Sequence, residues 1–201
     1  FFVDLYEGVD LLHLPNNTLR VLAVDDLSSS VGSTVPSSGS RLLSPQSGLV
    51  KWLDFQTSTG QFVDSTFISQ GAYAPMAFRR DSNGDFVLLG ASFGGSFTLA
   101  DGQTFNNSFS FSYLVLGRWS PNGLPQWIEL GTGSQAPYSL ALDSDDAIYV
   151  SGQYLNEVTY DSVSVQQPGR NLFVLKTDDG GNLEWLTGAS NAQVRDAPGL
   201  A

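Results

Sequence analysis

Apolar residues in this chain come in short bursts separated by residues that turn. Residues 86–89, 113–116 and 126–130 form one set of such runs, and 148–151, 172–176 and 183–187 form a second. They are rich in Val, Leu, Phe and Tyr and are bounded by Gly, Asn, Asp or Pro, which is strand-and-turn chemistry. No long segment carries a helical period with caps at its ends. Asp81-Ser82-Asn83-Gly84 and Asp178-Asp179-Gly180-Gly181 supply residues that accept positive φ at little cost, as tight hairpins require. The pattern predicts an all-β chain.

The bursts repeat. The stretch 42–52 ends in Gly48-Leu49-Val50-Lys51-Trp52, 117–127 ends in Gly123-Leu124-Pro125-Gln126-Trp127, and 176–185 ends in Gly181-Asn182-Leu183-Glu184-Trp185. A glycine stands four positions before each tryptophan, which predicts one corner of the fold met three times. A second landmark is Ala-Pro at Pro75, Pro137 and Pro198, with steps of 62 and 61 residues. Units of that length suit four short strands. The tryptophan steps are uneven, 75 and then 58, which places an inserted loop at 56–73. Four-stranded antiparallel units at this spacing read as blades of a β-propeller, each sheet packed face to face on the next. The expected organisation is a single incomplete propeller segment, 1–201: a partial blade at 1–8, blades at 9–55, 74–131 and 136–188, and the start of another at 196–201. Closure takes four to eight blades, so the missing ones are expected from the rest of a longer parent chain.

These residues carry a family likeness. The run 143–152 followed by 170–176 and 181–185 resembles the bacterial β-propeller repeat, often called the SBBP repeat, of exported and cell-surface proteins. The likeness is strongest in the last unit, good at 81–90, and weak at 16–23, where the aspartate and the closing glycine are missing. The resemblance implies a propeller scaffold without catalytic residues. Quinoprotein propellers also set a glycine four residues before an outer-strand tryptophan, a shared structural feature that imports no cofactor. Sialidase Asp-boxes are similar in their turn but use a gap of three.

Composition narrows the partners. Twenty acids against nine bases give a net charge of −11, which repels phosphate backbones and anionic head groups and argues against nucleic acid and membrane surfaces. No apolar run is long enough to cross a bilayer, and 1–10 lacks the basic start of a signal peptide. Cysteine is absent, which removes disulfides, thiolate nucleophiles and cysteine metal sites. A low pI, two lysines (Lys51 and Lys176) and serine-rich loops lean toward an extracellular, cell-surface or periplasmic setting.

Chemistry is harder to find. Trp52, Trp127 and Trp185 read as packing residues rather than sugar platforms, because of their fixed spacing from a glycine. Asp81, Asn83 and Asp85, with Asp143, Asp145 and Asp146 at the equivalent place, suggest a calcium loop but lack its twelve-residue pattern, so turn capping is the expected role. His13 is the only histidine and has no second imidazole to build a metal centre with. Arg79 and Arg80 follow a strand expected to line a channel; alternation lets at most one face it, where it would suit an anion. The sequons at Asn16-Asn17-Thr18 and Asn106-Asn107-Ser108 matter only for a eukaryotic source. The resulting expectation has no catalytic residue, no metal ligand and no cofactor: a non-catalytic scaffold or protein-interaction module. Its contacts are expected on the loops 25–40, 56–73 and 100–112. The alternative is a propeller enzyme, quinone-dependent or glycan-acting, with its site in a central channel.

Overall fold

A computed structural model describes residues 6–26 and 48–189, which are strand and turn with no helix. The strands are β1 (Tyr6–Leu14), β2 (Thr18–Asp26), β3 (Gly48–Gln56), β4 (Phe62–Arg80), β5 (Phe86–Leu99), β6 (Thr104–Trp119), β7 (Pro125–Leu130), β8 (Thr132–Leu142), β9 (Ile148–Tyr160), β10 (Val163–Thr177) and β11 (Leu183–Ala189). Every pairing is antiparallel and between neighbours in sequence, with one gap between β7 and β8. The first seven strands make one sheet curled into half a barrel; the last four make a separate sheet.

Side-chain alternation gives these sheets two cores, one on each face of β5 and β6, so three sections of sheet pack on one another: β1–β3 with the first part of β4 (layer one), the rest of β4 with β5–β7 (layer two), and β8–β11 (layer three). Phe86 and Leu88 on β5, with Val115 and Trp119 on β6, share a core with Leu22, Val50, Trp52 and Ile68 from β2, β3 and the first part of β4. Val87 and Leu89, with Leu114 and Leu116, point the other way and share a second core with Leu140, Ile148, Val150, Phe173 and Leu175. Successive residues of a strand face opposite sides, so a strand buried on both must be apolar throughout, and 86–89 is. Among the described residues β10 is covered more fully on one face than the other: Phe173 and Leu175 are buried, Leu172 and Val174 half-buried.

Layers two and three begin alike, at the step that separates Pro75 from Pro137. Gly71 and Gly133, 62 residues apart, carry φ of +108° and +103° where the chain enters layers two and three. A Cβ at Gly71 would sit 2.4 Å from the Ser96 carbonyl oxygen, and one at Gly133 would sit 2.5 Å from that of Glu157. Only glycine combines that φ with that approach. Five hairpins share one five-residue closure: Asp81 N–H donates to Asp85 O, Leu99 to Gln103, Ser120 to Leu124, Asp143 to Ala147 and Asp178 to Asn182, at 2.9–3.1 Å.

Three expectations need correction. The first two units do not separate into four-stranded sheets, because β4 runs unbroken through Gly71, and its residues 69–71 pair with β3 on one side and β5 on the other. Residues 56–73 are not an inserted loop: a short turn leads into β4, and 62–71 pair with β3. The tryptophan register also fails at its first member. Gly48 lies inside β3, paired with Gly71, so Trp52 is on the third strand of its layer, while Trp127 and Trp185 follow turn glycines onto the last strand of theirs. The proposed segments at 1–5, 27–47 and 190–201, including most of the 25–40 loop and the start of a further unit, lie outside the described residues.

Candidate functional site

The acidic strings act on the backbone around them. Asp81 Oδ1 accepts from the Asp85 N–H at 2.9 Å. Asp143 Oδ1 accepts from the N–H groups of Asp145 and Ala147, and Oδ2 accepts from the Tyr149 hydroxyl. Desolvation raises the Asp143 pKa, but these donors and the nearby Lys176 outweigh it and hold the carboxyl below its usual value. Asp178 is lowered first by the Asn182 side chain and then, against desolvation, by the N–H groups of Asn182 and Gly180 and by Arg118. Asp146 does something more, reaching across layers to accept from the Ser82 N–H at 3.0 Å and from its hydroxyl. Asn83 and Asp145 are exposed, and Asp85 accepts from Gln126 Nε2 at 2.7 Å. The strings therefore close turns and fasten layer two to layer three. Among the described residues, no group of three or more His, Asp or Glu is placed to hold a metal ion.

The remaining candidates are dispersed. His13 is exposed on β1. Arg79 donates to Asp10 Oδ2 at 2.9 Å, the carboxylate that also takes the Phe78 N–H, so it joins β4 to β1; Arg80 is exposed. Trp52 is fully buried, Trp127 lies against Gly181 of the next layer, and Trp185 is 41% exposed. Asn16 sits in the β1–β2 turn and Asn106 on β6, both exposed. Sequence reasoning passed over Arg20, which is buried yet donates to both Asp54 carboxylate oxygens at 2.8 and 2.7 Å and to the Pro121 carbonyl at 3.1 Å. Its guanidinium also lies over the Trp52 and Phe86 rings, tying layer one to layer two. A cation where the strand pattern calls for an apolar residue was the available signal. Arg118 on β6 is likewise buried, 3.4 Å from Asp81, and its charge helps lower the pKa of Asp178 in layer three.

One concave feature among the described residues lies where layers two and three meet. An open cleft of about 110 Å³ is lined by Ser112, Ser134, Gln135, Gln153, Tyr154 and Arg170 among others. A break in the β9–β10 ladder shapes it: Leu155 pairs with Arg170 and Glu157 with Gln166, leaving Gln167, Pro168 and Gly169 to loop out. Asn171, itself buried, donates to the Gln167 and Gly169 carbonyls at 3.0 and 3.1 Å, and the Gly169 N–H donates to Asn156 Oδ1 at 2.8 Å. The backbone is held open rather than left unpaired. Gln135 donates to the Thr159 carbonyl at 3.4 Å and to the Thr132 carbonyl, fixing the cleft floor. The lining offers one guanidinium, two amides and three hydroxyls. That set suits hydrogen bonding to a peptide or another polar chain. It holds no base beside a nucleophile and no paired carboxylates.

Searches among protein-family models and among curated proteins find no match to this chain.

Proposed function

We propose that the chain is a non-catalytic β-propeller scaffold whose three packed layers act as blades, the first two continuous through β4, and which serves as a protein-interaction module of an exported or cell-surface protein. One observation carries the reading. Gly71, Pro75 and Gly90 recur 62 residues later as Gly133, Pro137 and Gly152, and the layer between has both faces buried. That is how repeat units stabilise one another, since each hides an apolar face it cannot hide alone. The likeness of 143–185 to the SBBP repeat supports the same architecture and setting. The cleft of Gln153, Tyr154 and Arg170, together with the β5–β6 and β9–β10 hairpins beside it, is the recognition surface, and its ligand is an extended segment of a partner protein.

The test is a peptide-array screen with the purified chain, followed by titration of the best binders against Arg170→Ala and Gln153→Ala. Binding is expected to weaken about tenfold or more in each variant without a change in melting temperature, as loss of a well-placed polar contact predicts. Binders insensitive to both substitutions, or turnover of a glycoside substrate, would refute the reading.

A further inference from the structure

The turn between β4 and β5 carries a labile dipeptide that the fold leaves free to react. Asn83 precedes Gly84, and the same pair, Asn122-Gly123, holds the equivalent place in the β6–β7 turn. An asparagine before a glycine is a weak point of any chain, because a following residue without a Cβ lets its nitrogen reach the side-chain carbonyl carbon. The two turns differ in what restrains them. Asn122 Oδ1 accepts from the Ser120 hydroxyl, and the Gly123 N–H donates to the Ser120 carbonyl at 2.9 Å. A Cβ at Gly123 would lie 2.6–3.2 Å from atoms of Thr66, Phe67 and Ile68, so the first part of β4 backs that turn. Asn83 is exposed, and among the described residues its side chain makes no hydrogen bond. The Gly84 N–H donates to the Asp81 carbonyl at the longer distance of 3.2 Å. The three nearest neighbours of a Cβ at Gly84 would all be guanidinium atoms of Arg80, the far end of an exposed and flexible side chain.

We propose that Asn83 is a site of spontaneous deamidation, and that its isoaspartyl product unfastens layer two from layer three. The Gly84 nitrogen gives its proton to solvent base and attacks Asn83 Cγ. A new N–C bond forms, the bond from Cγ to the side-chain nitrogen breaks, and that nitrogen leaves with a returned proton as ammonia. Water then opens the cyclic imide at one of its two carbonyl carbons. Opening at Cγ leaves an ordinary aspartate. Opening at the main-chain carbonyl leaves Gly84 joined through Cγ, so the backbone is longer by one carbon and a carboxylate hangs beside it. Water enters, ammonia departs, and no oxidant or cofactor is needed. The added carbon falls in a turn whose span is fixed: the Asp81 N–H donates to the Asp85 carbonyl and the Asp85 N–H to Asp81 Oδ1, both at 2.9 Å. Ser82, next to Asn83, gives its N–H and its hydroxyl to Asp146, a buried carboxylate of layer three. A longer path from 82 to 84 must open the closure or swing Ser82 off Asp146.

Ageing the 201-residue chain in mildly alkaline buffer, followed by trypsin and mass spectrometry, tests both sites at once, since cleavage after Arg80, Arg118 and Arg170 puts Asn83 and Asn122 on separate peptides. Fragment masses place the change, and isoaspartyl methylation counts the isoaspartate. In the folded chain Asn83 should react about fivefold or more faster than Asn122, the factor for one further hydrogen bond to open. In concentrated urea the two should react at similar rates. Hydrogen exchange on the isoaspartyl fraction should show the Ser82 amide stripped of its protection. Fresh Asn83→Asp, which adds the charge without the extra carbon, should keep that protection, and Asn83→Gln should not age at this turn. Asn122 reacting as fast as Asn83 in the folded chain overturns the site, as does an unreacted Asn83 once the urea-unfolded chain is converted. An isoaspartyl chain with Ser82 as protected as in fresh protein overturns the unfastening. So does equal loss of protection in Asn83→Asp, which would make charge rather than chain length the cause.

Discussion

Gly181 offers a clean measurement of how tightly one layer fits the next. Its φ is +85°, and an added Cβ would come within 2.8–3.0 Å of three carbons of the Trp127 ring. Gly181→Ala therefore meets two costs: about 1–2 kcal/mol for an L-residue in the left-handed region, and about 1–3 kcal/mol for forcing a methyl against a packed ring. Gly102, with φ of +89° and open space where its Cβ would go, isolates the first. Gly102→Ala should cost about 1–2 kcal/mol and Gly181→Ala about 2–5 kcal/mol. At about 2–4 °C per kcal/mol for a chain of this size, the gap between the two is several degrees of melting temperature. Thermal and urea unfolding at one fixed protein concentration would measure it. In a Trp127→Leu background the Gly181→Ala cost should fall toward that of Gly102→Ala, a coupling of about 1–3 kcal/mol in the double-mutant cycle. Equal costs at the two glycines, or no coupling to Trp127, would refute the claim that this turn glycine is selected by the neighbouring layer.

Other consequences are independent of that one. Asp54→Asn weakens the partner of a guanidinium buried between two rings and should destabilise by about 3–5 kcal/mol, read as a lower urea midpoint at unchanged slope. Gly133→Ala drives a Cβ into the Glu157 carbonyl, so it should abolish cooperative melting or lower its midpoint well beyond the effect of Gly102→Ala. For Asp178, whose folded pKa lies below its unfolded value of 3.8, the stabilisation is present above that value and fades as pH falls through the lower, folded one. Asp178→Asn should therefore reduce stability at neutral pH while flattening the acid limb of the stability profile; an acid limb identical to wild type would contradict the assignment.

The short apolar runs, the turn residues and the Pro75-to-Pro137 step were local signals, and each describes a strand, a hairpin or a repeat as it stands in space. The tryptophan spacing misled because a glycine four residues before an indole occurs both at a turn, as with Gly123 and Gly181, and within a strand, as with Gly48. The stretch 56–73 read as a loop because it is polar and shows no inside–outside alternation, 61–65 being exposed throughout; its strand character comes from pairing with β3. Arg20 and Arg118 were missed for a related reason: a buried guanidinium is tolerable only beside a carboxylate, and Asp54 and Asp81 lie 34 and 37 residues away along the chain.

By itself, then, the sequence determined that the chain is all-β, repeats at about 62 residues, and turns on Asp, Asn and Gly, because those properties depend on periodicity and backbone preference over a few residues. Tertiary structure alone decided that β4 is shared by two layers, that the acidic strings are fasteners, and that Gln153 and Arg170 border a cleft. Those outcomes depend on which strands become neighbours and which faces they bury, and no short window of residues contains that information.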